Sequence, residues 1–174
     1  MLTISRRIFL TESDCDQLAD VLHATVHAGA SNGFVLPFEM TDARNFWVQK
    51  VAPGVADGGR LLLVAEQDSK IAGTVQLIAD MPPNQTHRAD IAKLMVHPDA
   101  RRQGIAKALM LELEKIASAA GRWLLVLDTK TGDAAEPLYL SMGYTIVGRI
   151  PEFARDPGEP VLQSTTILYK MLPR

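Results

Sequence analysis

A single cysteine, Cys15, is all the thiol in these 174 residues, so neither an internal disulfide framework nor a cysteine metal cluster can form. Asp14 and Asp16 beside it would raise a thiol pKa, which argues against a nucleophile there. His23, His27, His87 and His97 are too scattered for metal-ligand spacing. Charge of one sign is also scarce. With 18 basic and 20 acidic side chains the formal net charge is -2, without the basic excess of a general nucleic-acid binder. No apolar run approaches the roughly 18–20 residues that cross a bilayer. Met1–Arg7 carries a basic pair but lacks the apolar core and small-residue cleavage site of a signal peptide, so the cytoplasm is the expected location. No repeat, low-complexity tract or interdomain linker divides the chain. What remains is a single domain over residues 1–174, whose 47% hydrophobic and 22% charged content suits a globular protein.

The apolar patterning alternates between strand and helix. Strands are expected over residues 1–9, 60–66, 71–79, 88–96, 123–127, 144–150 and 165–171. A first helix follows the cap-rich run Thr11-Glu12-Ser13-Asp14, with Leu18, Val21, Leu22, Thr25 and Val26 on one face. A second follows Thr41-Asp42 and carries Ala43, Phe46, Trp47, Val48 and Val51. Pro53-Gly54 is placed to interrupt it and Gly58-Gly59 to close it. Between these two helices lies a loop of small residues, His27–Phe34. Trp123–Leu127 is continuously apolar, as in a strand buried on both faces. Asp133-Ala134-Ala135-Glu136 has capping-box spacing, with Pro137 in the first turn of the helix it opens. The order β-α-α-β-β-β-α-β-α-β-β gives a mixed α/β sheet with an antiparallel first half.

The chain is organised around Lys93–Ala120. An apolar strand ends at Pro98, a polar loop follows, and small residues at Gly104 and Ala106 open a helix. Ile105, Ala108, Leu109, Leu113, Ile116, Ala117 and Ala120 repeat at helical spacing, and Gly121 stands where a left-handed C-cap falls. The first N–H groups of a helix lack partners and carry partial positive charge, so such a loop can hold a pyrophosphate. Arg101, Arg102 and Lys107 add cations. The pattern is neither a P-loop nor a Rossmann glycine fingerprint.

Arg101-x-x-Gly104-x-Ala106 after a strand resembles the acetyl-CoA pyrophosphate loop of the GNAT superfamily of N-acetyltransferases. Downstream, Ala135-x-x-Leu138-Tyr139-x-x-x-Gly143-Tyr144 resembles the superfamily's second signature. A closer likeness links three segments to the tabtoxin-resistance acetyltransferases: the 27–34 loop, Lys93-Leu94-Met95-Val96-x-Pro98-x-Ala100-Arg101, and Leu127-Asp128-Thr129-x-x-Gly132. Many superfamily members have Asn where this chain has Gly132. The resemblance implies the GNAT acyl-CoA N-acyltransferase fold, a mixed central sheet flanked by helices. Its splay would lie between the strands Arg88–Val96 and Trp123–Leu127. It implies acetyl-CoA as cosubstrate, held by Leu94, Met95, Val96, Arg101, Arg102, Gln103, Gly104, Ile105, Ala106 and Lys107. Backbone groups near Met95 and Val96 would bind the pantetheine arm and polarise the thioester carbonyl.

An alkyl ammonium, with a pKa of about 10.4, must lose a proton before it can attack a thioester. Asp90 and Asp128 are the candidate bases, either of which could instead anchor the ammonium. Tyr139 is the candidate general acid for the departing sulfur. The expected acceptor is a primary amine of a small molecule, amino-acid-like or toxin-like, taken up by a monomer or homodimer with no nucleic-acid or membrane partner. Two alternatives stand beside this: acetylation of protein lysines or N-termini, and a non-catalytic acyl-CoA-binding regulatory module.

Overall fold

The computed structural model describes residues 1–174. Seven strands form one sheet in the order β1-β2-β3-β4-β5-β7-β6. They are β1 (Leu2–Arg7), β2 (Arg60–Gln67), β3 (Lys70–Ile78), β4 (Arg88–Val96), β5 (Leu124–Lys130), β6 (Thr145–Arg155) and β7 (Leu162–Met171). Every neighbouring pair is antiparallel except β4–β5, which is parallel. The sequence-based element order holds, and so does the antiparallel first half.

Helix α1 (Glu12–His27) starts where the cap residues predict. Thr11 Oγ1 accepts from the Asp14 N–H at 3.0 Å, and Asp14 Oδ2 accepts from the Thr11 N–H at 3.0 Å, a reciprocal capping box. The second helical region begins one residue before Thr41, as α2 (Met40–Asn45), and does not break at Pro53-Gly54. A π-helical stretch, Phe46–Val51, precedes Pro53, with the Ala52 N–H donating to Trp47 five residues back. That wider turn absorbs the N–H that proline lacks, and the chain runs on as α3 (Ala52–Ala56). Helix α4 (Ile105–Ala119) ends before Gly121, whose φ is +70°, and α5 (Ala135–Ser141) follows β5.

The sheet is covered on both faces. Leu109, Met110 and Leu113 of α4 pack on Leu63, Leu77, Leu125 and Leu168. Leu18, Leu22, Trp47 and Val51 pack on Leu62, Val64 and Met95 from the other side. Each fully buried aliphatic side chain here contributes about 1.5–3 kcal/mol. Gly73 of β3 lies at a close approach between layers: a Cβ there would stand 2.8 Å from the Met95 carbonyl and 3.2 Å from Ile105.

Two expectations change in β5. It alternates between buried Leu125 and Leu127 and half-exposed Leu124 and Val126, rather than being buried on both faces. It also runs on to Lys130, because β7 pairs with it over its whole length, Leu124 against Met171 through Lys130 against Thr165. Asp128 is therefore inside the strand, not in a turn after it.

Candidate active site

The β4–β5 ladder contains three pairs: Arg88–Leu124, Ala89–Leu125 and Asp90–Val126. Past Asp90 the strands part. Against β3, β4 carries one extra residue between Ala92 and Met95, and Lys93 in that bulge has a φ of +54°. A bulge bends its strand and increases the local twist, while β5 stays straight against β7. The result is a cleft of about 670 Å³, walled by Ile91–Val96 on one side and by Asp128–Lys130 with Tyr139 on the other. That size suits a small-ligand site, which typically spans about 300–1,000 Å³.

One end of the cleft is the start of α4. Gly104 has a φ of +79° and gives the helix no side-chain cap. The Ala108 N–H makes the first helical bond, to Gly104, so the amides of Ile105, Ala106 and Lys107 lie ahead of it. A Cβ at Gly104 would meet nothing within 4 Å. Arg101, Arg102 and Lys107 line this end. Uncapped donors, open space and three cations fit a pyrophosphate. The separated edges of β4 and β5, with backbone groups unpaired toward each other, fit the amide-bearing arm of the same cofactor. Leu94, Met95, Val96, Gly104, Ile105 and Ala106 all line the cleft, although the Met95 and Ile105 side chains turn into the core. Gln103 does not line it. Its side chain accepts from Gln67 Nε2 at 3.2 Å on the outer surface.

Asp128, exposed, and Tyr139, buried, both line the cleft, near enough for the carboxylate charge to act on the phenol. Thr165, on the paired strand, donates its hydroxyl proton between Asp128 Oδ2 at 3.1 Å and the Thr129 carbonyl at 2.9 Å. Tyr139 packs edge-on against Tyr144 with ring centroids 5.7 Å apart, and its hydroxyl has no hydrogen-bond partner within the protein. Burial, reinforced by the charges of Asp128 and Asp133, pushes the phenol pKa far above its ordinary value. Asp90 is not brought to this place. It sits in the paired part of the ladder, before the splay opens, and its carboxylate takes a hydrogen bond of 2.9 Å from Arg88. Sequence position put it on the strand leading to the loop; the point where that strand leaves its neighbour lies beyond it.

The loop 28–33 closes one flank of the cleft, and Phe153, Ala154 and Gln163–Thr165 of the β6–β7 hairpin close another. Lys93 ties the loop down, donating to the Asn32 carbonyl at 2.6 Å, while Asn32 Nδ2 donates to Thr25 at 3.1 Å. Glu136 fixes the turn after β5 by accepting from the Gly132 N–H at 2.9 Å and from Thr166 at 3.1 Å. The capping-box spacing is thus used one residue further back than expected. Cys15 is buried in the α1 core, and burial raises its pKa, as an inert thiol requires.

Thr165 and Lys93 line the cleft without a role expected from the sequence. Thr165 carries no local signal, since its proximity to Asp128 exists only through β5–β7 pairing. Lys93 does carry one: it is the only charged residue in the apolar run Ile91–Val96.

Comparison with known proteins places these features in context. A family model described as an acetyltransferase (GNAT) domain matches residues 58–146. The chain is 31% identical over 138 residues to an uncharacterised N-acetyltransferase in the hisH-hisA intergenic region of Azospirillum brasilense, covering 78% of this chain and 80% of that one. It is 36% identical over 97 residues to human N-acetyltransferase 8, spanning 55% of this chain but only 43% of the human protein. The structure of yncA, a putative acetyltransferase from Salmonella typhimurium with its cofactor acetyl-CoA, superimposes with a TM-score of 0.75 at 19% identity. That match covers 99% of this chain and 95% of the other.

Proposed function

Because this chain belongs to the GNAT family of N-acetyltransferases and draws its acetyl group from acetyl-CoA, we propose that its acceptor is the primary amine of a small molecule. The observation that carries this reading is the pinned loop. Lys93 and Thr25 hold Asn32 at the flank of the cleft, which supports a bounded pocket there over a long groove for a peptide.

Acetyl-CoA supplies the thioester carbon that the amine attacks. Asp128 receives the ammonium and takes its proton, directly or through one water. Thr165 keeps the carboxylate oriented with a hydrogen bond that its neighbour Thr129 shares. The bulged backbone around Leu94–Val96 presents fixed dipoles to the developing oxyanion, which need no reorganisation as charge grows. Tyr139 directs its O–H to the departing sulfur. Its raised pKa refines the expected role: the phenol gives up its proton less readily than a free tyrosine, so it acts first as a hydrogen-bond donor to negative charge on sulfur. Arg101, Arg102, Lys107 and the first amides of α4 hold the pyrophosphate.

A panel of small primary amines, amino acids and peptides, assayed for acetyl-CoA-dependent thiol release and N-acetylated product, tests this reading. Turnover confined to small amines supports it. Acetylation of peptides alone, or tight CoA binding without any turnover, contradicts it.

A further inference from the structure

Lys93 occupies a position that an ordinary strand residue does not. Its left-handed backbone, φ +54°, is uncommon for a side-chain-bearing residue and turns it out of the regular alternation of β4. The side chain runs under the 28–33 loop and lines the cleft beside Asp128. Nζ sits 5.5 Å from the ring centroid of Phe34 and 5.7 Å from that of Phe46, and it gives one hydrogen bond, to the Asn32 carbonyl at 2.6 Å. An ammonium has three donors, so two remain, and no carboxylate forms an ion pair with it.

The surroundings bring charge of both signs to Lys93. Asp128 favours its charge, and Arg60, the weaker of the two influences, disfavours it. Burial is the largest influence, and the net effect holds the lysine pKa below its ordinary value. Gln76, paired with Ala92 of β4 and fully buried, accepts from Arg60 at 2.6 Å and leaves its Nε2 without an acceptor. A half-buried cation with spare donors keeps a desolvation cost that the Phe34 and Phe46 rings and Asp128 offset only in part, and an arriving anion lowers it further.

On the reading that the acceptor is a small amine, we infer that Lys93 binds an acid group of that acceptor, so the substrate class is a compact zwitterion carrying both a primary amine and an oxyacid group. Asp128 and Lys93 then act as opposite poles. The carboxylate draws the ammonium toward the thioester end, and the lysine holds the acid group under the loop. Reversing the substrate would set like charges together at both ends, so the pair fixes orientation as well as class. Phe34 and Phe46 shield the ion pair from water, which strengthens it.

The test compares amino acids, an amino phosphinate and the corresponding amino-acid amides as acceptors for the wild type, Lys93→Met and Lys93→Arg. Acid-bearing acceptors should exceed their amides in wild-type kcat/KM. Lys93→Met should lose about 10- to 100-fold with acids beyond any loss with amides, the range for one charge-assisted hydrogen bond, mostly in KM. Lys93→Arg should keep part of the preference for acids. The ratio between carboxylate and phosphinate acceptors shows which oxyacid the site takes. Acetyl-CoA affinity, followed by titration calorimetry, should not move. If the wild type turns over amides as well as acids, or Lys93→Met lowers both equally, the assignment of Lys93 is wrong while the small-amine reading stands. If only peptides are acetylated, both fall.

Discussion

Tyr139→Phe removes one oxygen from the wall of the cleft and leaves the ring, which makes it a clean probe of the proposed chemistry. The residue is 6% exposed and packs in the core shared with Leu109 and Leu125. Phenylalanine keeps that packing and the edge-on contact with Tyr144 at 5.7 Å. The hydroxyl has no protein partner, so its removal leaves no other group unsatisfied. Stability should change by about 0.5 kcal/mol or less, and the melting temperature by about 2 °C or less. Turnover is a different matter. A hydrogen bond to a charged group is worth about 1.5–3 kcal/mol, which predicts a fall in kcat of about 10- to 150-fold. A fall toward about 10⁴-fold would mean full proton transfer in the transition state. The assay is steady-state thiol release with the preferred amine, alongside calorimetric titration of acetyl-CoA and a thermal melt. An acyl donor with a better leaving group should lose less on mutation, because its sulfur needs less help. Normal kcat with acetyl-CoA in Tyr139→Phe would refute the role and leave the tyrosine as packing alone. The raised phenol pKa adds a further expectation: ionisation of Tyr139 does not shape the rate profile below about pH 10, the ordinary phenol value.

Gly104→Glu should abolish acetyl-CoA binding, measured by titration calorimetry, because a carboxylate enters the open space before the uncapped amides of α4. Gly104→Ala, which pays only the left-handed backbone cost of about 1–2 kcal/mol, should retain it, and equal loss in both would remove the electrostatic explanation. Asp128→Asn should lower kcat/KM by about 10²–10⁴-fold with partial rescue at high pH, whereas Asp90→Asn should change it less than about threefold, since Arg88 holds Asp90 at the closed end of the ladder. A defect in Asp128→Asn that appears only in amine KM and persists at high pH would make that carboxylate an anchor and not a base. For Asp14, burial raises the carboxyl pKa but hydrogen bonds from Thr11 and Arg7 outweigh it, so the folded value lies below the ordinary 3.8. Its stabilisation is therefore complete above that ordinary value and lost as pH falls through the folded one. Urea unfolding of Asp14→Asn from about pH 5 to about pH 2 should show a weaker acid dependence than the wild type.

The fold was legible because its local signals agree with one another. Thr11 and Asp14 cap a helix whose face Leu18, Leu22 and Val26 fill, and the strand Arg88–Val96 is bounded as its apolar pattern indicates. The uncapped helix start at the cleft was equally legible, since Gly104 and the flanking cations lie in one short segment. What could not be read depends on partners distant in sequence. The extent of β5, and with it the place of Asp128, is set by pairing with β7 some forty residues later in the chain. The position of Asp90 relative to the splay depends on a bulge that forms where β4 meets β3, and no residue in the segment marks it as glycine would. Pro53 looked like a break because the π-helical turn that accommodates it has no sequence signature. Lys93 was visible as a charge within an apolar strand, but its direction follows from a left-handed backbone that only the folded sheet imposes.

The gap between β4 and β5 is the place where the acetyl donor must lie for Asp128 and Tyr139 to act. Amide hydrogen exchange with and without saturating acetyl-CoA tests that directly. Binding should slow exchange at Leu94–Val96 and at the opening amides of α4, Ile105–Lys107, and leave the far β1–β2 edge unchanged. Full-affinity binding with no added protection in either segment would contradict the placement of the donor in the splay.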